Sequence, residues 1–147
     1  GTSADMGNAV FVAAMLELPT MAFFTKMSEK INCGTLIKFS ILMFVVKHAL
    51  TYFATNMIMI YLAQVCQMFA YALFVPASVY YVNKKIAVAD RVKGQSLVTT
   101  SMTLSGVFAN FAGGIMLDAL GVGHVLLAGV VLSIVGAVIV ILTTEKV

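Results

Sequence analysis

Residues 57–82 read MIMIYLAQVCQMFAYALFVPASVYYV, a run without a single charged side chain. A helix needs about 20 apolar residues to cross a hydrocarbon core about 30 Å thick, because each residue adds about 1.5 Å. The run is long enough, and it lacks the strict alternation of polar and apolar side chains that marks a membrane β-strand. It therefore predicts a transmembrane helix.

Four more segments of this kind flank the first one. Counted along the chain, the predicted spans are 6–25, 35–54, 57–82, 94–117 and 121–142. The whole composition agrees, since 61% of the 147 residues are hydrophobic and 10% are charged, with a mean hydropathy of +1.03. Soluble domains carry about 25% charged residues. The sequence thus predicts an all-α, polytopic membrane helix bundle and argues against a soluble enzyme or a nucleic-acid-binding protein.

The basic residues predict the orientation of this bundle. Seven of them fall in loops on one side of the membrane, while the opposite loops carry Asp5 and Asp118. By the positive-inside rule the basic side is cytoplasmic, which places the N-terminus outside and the C-terminus inside, with the cytoplasmic (plasma) membrane as the expected location. The net charge of +3 then needs no nucleic-acid partner. The seven residues are Lys26, Lys30, Lys84, Lys85, Arg91, Lys93 and Lys146.

Two charged side chains fall deep inside predicted spans. Glu17 lies about 13 Å from the inner edge of the first span and Lys47 about 18 Å from the same face, at about 1.5 Å per residue. Charges at such depth are expensive, so they pair with each other or face a water-filled cavity. We expect a Glu17–Lys47 ion pair that lines a hydrophilic cavity. The alternative is a buried ion pair that only fixes the register of two helices.

Three polar side chains share one face of the third span. Gln64, Gln67 and Tyr71 follow each other at helical spacing. Amides and a phenol hydrogen-bond hydroxyl-rich ligands, and an aromatic ring stacks on the face of a sugar. The three residues therefore predict a binding face for a polyhydroxylated solute, with interhelical hydrogen bonds as the alternative.

Small residues predict how the last two spans pack. They recur at every fourth position, which lets helix backbones approach closely in lipid, so spans four and five are expected to pack against each other. In span four the small residues are Ser101, Ser105, Ala109 and Gly113, with Gly106, Asn110 and Gly114 beside them; in span five they are Gly129, Ser133 and Ala137.

The two halves of the chain share a weak sequence repeat. An acid follows a small or hydroxyl residue by four positions and precedes a turn residue by three, once after span one and once after span four. The copies fall on opposite membrane faces, as a repeat of inverted topology requires, and such repeats are typical of secondary transporters. The residues are Thr25, Glu29 and Asn32 in one copy and Gly114, Asp118 and Gly121 in the other.

These features resemble the C-terminal half of a major facilitator superfamily transporter without its first helix. The resemblance implies that residues 1–147 form a partial C-terminal transmembrane domain, with the five spans corresponding to helices eight to twelve of twelve. Residues 25–32 resemble the family's cytoplasmic G-x-x-x-D-[RK]-x-G motif, in which Glu29 and Lys30 match the acid and the base while Thr25 and Asn32 replace both glycines. Gly114, Asp118 and Gly121 fit a motif common at the end of helix eleven.

Within the superfamily, the chain is most similar to the oligosaccharide:proton symporters, which are lactose permease-like. The stretches around Lys47-His48 and Gln67-Met68-Phe69 carry this likeness. By the resemblance, Lys47 stands at the place of a functional arginine, Gln67 at that of a histidine, and Ala70 at that of the glutamate associated with the proton. Glu17 lies one helical turn from the place of a sugar-binding glutamate.

The sequence thus predicts part of a secondary active transporter that moves a sugar or similar polyhydroxylated solute by alternating access, and the resemblance implies that transport is coupled to protons. Its expected partners are the lipid bilayer, a small polar solute, the proton and an N-terminal half of the carrier. No metal, cofactor or catalytic constellation is expected, because Cys33 and Cys66 have no metal-site spacing and Glu17 has no second carboxylate. The alternative is a non-transporting scaffold or subunit that binds another helical membrane protein.

Overall fold

The computed structural model describes residues 3–145, without the side chains of Ser3 and Met6. Lys146 and the two chain ends, whose sides of the membrane were predicted above, lie outside the described residues. The described part forms five long helices and no strand, and each helix is long and apolar enough to cross a membrane. This confirms the predicted all-α bundle. The helices are α1 (Ser3–Lys30), α2 (Cys33–Tyr52), α3 (Met57–Lys85), α4 (Arg91–Leu120) and α5 (Val122–Thr143), with a short 3-10 turn at Val88–Asp90.

Turn chemistry in the sequence sets two of the helix boundaries. Asn56 takes an extended conformation before α3, and its side-chain Oδ1 accepts a hydrogen bond from the Met59 backbone N–H at 3.0 Å. This N-cap satisfies one of the free donors at the start of the helix. Gly121 joins α4 to α5 with φ +81, a left-handed conformation that costs glycine little. Gly121, the turn residue of the second repeat copy, thus does form a turn.

The two prolines lie inside helices that continue past them. Pro19 is within α1 and Pro76 within α3. A proline removes one backbone donor, and in membrane helices nearby hydroxyls and small local adjustments compensate for the loss. Thr20 donates its hydroxyl to the Leu16 carbonyl at 3.4 Å, and Ser78 donates to the Val75 carbonyl at 2.7 Å. These are not the carbonyls that lose a backbone donor, which belong to Met15 and Ala72 four residues before each proline, and both helices stay continuous all the same.

Helix α3 is the centre of the bundle. It packs against α1, α2 and α4, while α5 packs against α2 and α4. Three of its alanines, Ala63, Ala70 and Ala77, recur every seven residues and are fully buried. Such small side chains let neighbouring helices approach closely. The alanine stripe of α3 is thus fully buried, whereas in the stripes of α4 and α5 the buried residue is Ala137.

Helices α4 and α5 are in contact, as predicted, but their small-residue stripes do not face each other. The α5 stripe faces α2, where Ala137 is buried and a Cβ at Gly129 would lie 3.4 Å from the His48 ring. The α4 stripe stays largely exposed, and among the described residues Gly94 is the buried residue of that helix. Spacing identified the stripes, but it could not identify the partner of each helix.

The basic ends of the helices lie together. The rings of Phe24 and Tyr80 are 5.2 Å apart, which places the end of α1 beside the end of α3. The Gln95 side chain donates to the Val79 carbonyl at 2.9 Å, which brings the start of α4 to the same end. One end of the bundle therefore carries most of the basic residues, as the predicted topology requires. Which membrane face this end occupies stays a prediction.

Glu145 fixes the end of α5 to the end of α3. Its carboxylate accepts a hydrogen bond from Lys85, and its backbone N–H donates to the Tyr81 hydroxyl at 3.3 Å. The hydrogen bond from Lys85 lowers the pKa of the Glu145 carboxyl. A lowered folded-state pKa means that the contact contributes fully at neutral pH and is lost as the pH falls through that pKa.

We therefore expect the end of α5 to loosen as the pH falls below about 4.3, the ordinary pKa of a glutamate, because the contact is lost between that pKa and the lower pKa of the folded state. Hydrogen exchange at the Thr144 amide, which bonds to the Val140 carbonyl, measures this loosening. In Glu145→Gln the exchange is expected to be faster already at neutral pH and to change less with acid. An acid response of equal size in Glu145→Gln and in the native chain would contradict the assignment.

Gly94 is a point of close approach between α4 and the end of α3. A Cβ at this position would lie 2.9 Å from a Val82 methyl and 2.5 Å from the end of the Ile86 side chain. Gly94→Ala is therefore expected to destabilise the fold by about 1–3 kcal/mol, as overpacking does. Gly114→Ala is the matched control, because nothing lies within 4 Å of that position. It should be neutral or stabilising, since alanine favours a helix by about 1 kcal/mol over glycine. Thermal unfolding in detergent compares the two variants, and equal effects would contradict the close approach.

Candidate polar site between α1, α2 and α3

A chain of hydrogen bonds joins three helices inside the bundle. The Lys47 ammonium on α2 donates to Oε1 of Gln67 on α3, with an Nζ–Oε1 distance of 2.5 Å. Nε2 of the same Gln67 donates to Oε1 of Glu17 on α1, at 3.2 Å. Both contacts are partly buried. The Gln67 amide thus separates a positive from a negative charge and bonds to both.

Helix packing positions the three side chains. Helix α3 lies against both α1 and α2, so a side chain on its shared face can reach either neighbour. Glu17 lies about 20 Å from each end of α1, and Gln67 about 15 Å from the start of α3, at about 1.5 Å per residue. Lys47 lies about 8 Å from the end of α2, closer to a helix end than the sequence predicted, because α2 already ends at Tyr52. The three residues belong to the parts of the chain with the length and hydropathy of membrane spans.

The predicted direct contact between Glu17 and Lys47 does not form. In the part of the chain that the structure describes, α1 and α2 pack mainly on α3 rather than on each other, and the amide of Gln67 stands between the acid and the amine. Hydrogen bonds to charged groups are about twice as strong as those between neutral groups. The amide dipole also points its oxygen at the cation and its N–H at the anion. The arrangement therefore stabilises both charges without joining them.

The other two members of the predicted binding face do not join this hydrogen-bonded chain. Gln64 is half-buried, and its side chain makes no hydrogen bond among the described residues. Tyr71 is 43% exposed. Its ring lines a cavity of about 870 Å³ between α2, α3 and α4, together with His48 and Ser101. On this face of α3, the Gln67 side chain is hydrogen-bonded to both neighbours. The side chains of Gln64 and Tyr71 make no hydrogen bond among the described residues.

His48 lies on the wall of this cavity and of a smaller one between α2 and α5. Its Nδ1 is 2.8 Å from the Phe44 carbonyl oxygen. A carbonyl only accepts, so Nδ1 carries the hydrogen in this contact. The ring also stacks on Phe44. These contacts give His48 a packing role, and its side chain takes no part in the hydrogen bonds among Glu17, Gln67 and Lys47.

The described residues form no candidate metal site. Within residues 3–145 no group of three or more His, Cys, Asp or Glu side chains lies close enough to hold a metal ion. Cys33 is buried and Cys66 half-buried, and both are free thiols. His124 is exposed, with Nδ1 2.7 Å from the Leu120 carbonyl oxygen. The acid–amide–amine chain is the polar feature that links several helices of the described fold.

Glu17, Lys47 and Gln67 were each predicted from the sequence, but the hydrogen bonds that connect them were not. The charges stood out because they interrupt apolar spans, and Gln67 stood out by its spacing from Tyr71. That Gln67 reaches both charges depends on α3 lying between α1 and α2, which no pattern in the sequence indicates. The cavity beside Tyr71 was missed for the same reason, because its walls come from three helices.

A bundle of apolar, membrane-length helices that encloses an acid–amide–amine chain has the features of a membrane transport protein. The polypeptide matches the family model of the Major Facilitator Superfamily over residues 1–147. It therefore belongs to this superfamily of membrane transporters. A search of curated proteins and a search of solved structures found no significant match. The family points to transport rather than to catalysis. The narrower likeness to lactose permease-like symporters stays a prediction.

Proposed function

We propose that the chain is part of a secondary active transporter that moves a sugar or a similar polyhydroxylated solute by alternating access, driven by protons. The observation that carries the proposal is the hydrogen-bonded chain from Lys47 through Gln67 to Glu17. Charged side chains inside apolar spans are expensive to keep, and in membrane proteins they mark solute and ion pathways. Superfamily membership supports transport in general.

The roles of the individual residues follow from their chemistry. The Glu17 carboxylate can take up a proton or accept a hydrogen bond from a solute hydroxyl. Lys47 supplies the opposite charge on the other side of the Gln67 amide. Gln64 has no partner among the described residues, so its amide is available to a solute. Tyr71 offers an exposed ring on which a sugar face can stack. In the working carrier an N-terminal half would supply the facing wall of the cavity.

The orientation in the membrane is part of the proposal. Lys84 and Lys85 at the end of α3 and Lys93 near the start of α4 belong to the basic end of the bundle. Positive residues favour the cytoplasmic side. We therefore assign the basic end to the cytoplasm of a plasma membrane and the Gly121 turn to the outside.

Uptake by proteoliposomes that contain the complete polypeptide carrying this sequence tests the proposal. The labelled solutes are glucose, lactose, sucrose and uridine, each offered with and without an imposed proton gradient. We expect at least one of them to accumulate above its external concentration when the gradient is present, and to equilibrate only when a protonophore removes it. Vesicles that accumulate none of the four would overturn the proposal.

A scaffold or subunit without transport activity is the second candidate. It is favoured by the exposed small residues Ser101, Ser105 and Ala109 of α4, since small side chains let a partner helix approach closely in lipid. A scaffold would give no solute uptake in the same vesicles. The experiment therefore separates the two candidates.

A further inference from the structure

Gln67 is placed where a solute would have to bind if Glu17 and Lys47 are its ligands. Both of its amide atoms are engaged, the oxygen by Lys47 and the nitrogen by Glu17. The neighbouring amide, Gln64, lies one turn earlier on the same helix and has no partner among the described residues. Two glutamines on one helix face therefore differ in their hydrogen bonding. One is held by the two charges, and the other is open.

We propose that the Gln67 amide holds the place of the solute between Glu17 and Lys47, and that a solute binds by replacing it there. This inference rests on the proposed function, because it assigns the solute to the same polar site. Gln67 is then a positioning residue that competes with the solute rather than a residue that holds it. Gln64 and Tyr71 are left as direct contacts.

The two charges define what can replace the amide. A lysine ammonium has only donors, and an ionised carboxylate has only acceptors. The replacing group must therefore present an acceptor to Lys47 and, one or two atoms away, a donor to Glu17. A carboxamide does so with its oxygen and nitrogen.

Two hydroxyls on adjacent carbons do so as well, because each hydroxyl can either donate or accept. A single hydroxyl can also accept and donate at once, but one oxygen atom cannot occupy the positions of both amide atoms, Oε1 beside Lys47 and Nε2 beside Glu17. A solute carboxylate would meet Glu17 with a like charge, and a solute ammonium would meet Lys47 with one. The site therefore selects neutral solutes with a vicinal pair of hydroxyls, which is the arrangement on a sugar ring or on a ribose.

Replacement predicts the sign of a mutational effect. In Gln67→Leu the apolar side chain still separates the two charges, but neither charge has its hydrogen bond until a solute arrives. The solute then supplies both bonds without first breaking two others. One hydrogen bond to a charged group corresponds to roughly a tenfold change in affinity. We expect Gln67→Leu to bind the solute about tenfold more tightly than the native protein.

Gln64→Leu is the matched control, since it makes the same change on the same helix. If Gln64 contacts the solute, this variant binds several-fold more weakly, which is the opposite sign. Gln67→Asn is a second test that keeps a polar side chain, because its shorter amide cannot reach both charges. It is also expected to bind more tightly, and it covers the case in which Gln67→Leu fails to fold.

Equilibrium binding of labelled glucose, lactose, sucrose and uridine to the complete polypeptide in detergent measures these affinities. Monodeoxy analogues of the solute that binds are tested as competitors. Removal of either hydroxyl of one adjacent pair should weaken binding about tenfold, and removal of a hydroxyl outside that pair should matter less. Unchanged or weaker binding by the Gln67 variants would overturn the proposal, as would equal losses for every deoxy position.

Binding and uptake are measured on the same preparations, so the two proposals can fail separately. A protein that binds a sugar without transporting it contradicts the proposed function and still tests the replacement. A protein that transports a sugar but loses affinity in Gln67→Leu contradicts the replacement alone. Binding of none of the four solutes by either the native chain or the Gln67 variants would overturn both.

Discussion

Replacing Glu17 by glutamine is expected to abolish proton-driven accumulation of the solute. Glutamine has nearly the same shape, and its side-chain oxygen can still accept the hydrogen bond that Gln67 donates to Glu17 at 3.2 Å. The variant should therefore fold, with α1 in place. It can neither carry a proton nor balance the charge of Lys47, and exchanging a hydrogen bond to a carboxylate for one to a neutral amide also lowers solute affinity by about tenfold.

Glu29→Gln is the matched control for this experiment. It makes the same change on the same helix, at an exposed position near the end of α1. Accumulation should stay within about twofold of the native value, since exposed surface charges contribute little. If Glu17→Gln accumulates solute against its gradient as well as Glu29→Gln does, the carboxylate of Glu17 is not the coupling group.

The second large effect concerns Lys47 and its connection to Glu17. Lys47→Met removes the cation that the Gln67 oxygen contacts and leaves the Glu17 carboxylate as an uncompensated charge. We expect a loss of stability of about 1–3 kcal/mol, the usual penalty for a charged group left without its partner in a partly buried site. The double variant Glu17→Gln/Lys47→Met should be more stable than the two single effects predict, because it removes both charges.

A double-mutant cycle measured by thermal unfolding gives the coupling between the two residues. We expect about 1 kcal/mol, within the range of residues that share a hydrogen-bond network. The same cycle in a Gln67→Leu background should give a smaller value, because the connecting amide is gone. Lys38→Met combined with Glu17→Gln is the control, and its effects should add to within about 0.5 kcal/mol. A Glu17–Lys47 coupling no larger than the Glu17–Lys38 value would show that the bridge has no energetic role.

Much of the fold could be predicted from the sequence because lipid imposes strict conditions on a chain. A backbone in hydrocarbon must satisfy its own hydrogen bonds, so apolar runs of this length become helices. Charge-free runs such as residues 57–82 therefore identified α3, and the turn residue Gly121 marked the connection of α4 to α5. The helices extend past most predicted spans, since polar ends such as 83–85 continue the helical hydrogen bonding of α3 into the interface.

The packing partners of each helix could not be predicted in this way. In lipid there is no hydrophobic force to indicate which apolar face is inside, and small-residue spacing identifies a surface without naming its neighbour. The stripe of α5 accordingly faces α2 instead of α4, where His48 lies close to Gly129. The stripe of buried alanines on α3 was not distinguished from the many other alanines of the chain.

The sequence by itself determined the class of structure, the approximate spans and the candidate polar residues. Those follow from local properties, namely the length of an apolar run and the high energy of a charge within it. Only the tertiary structure decided that Glu17 and Lys47 meet through Gln67, that Gln64 stays open and that Tyr71 borders a cavity between α2, α3 and α4. The physical reason is that these relations depend on α3 lying between α1 and α2, a property of three helices together that no single segment encodes.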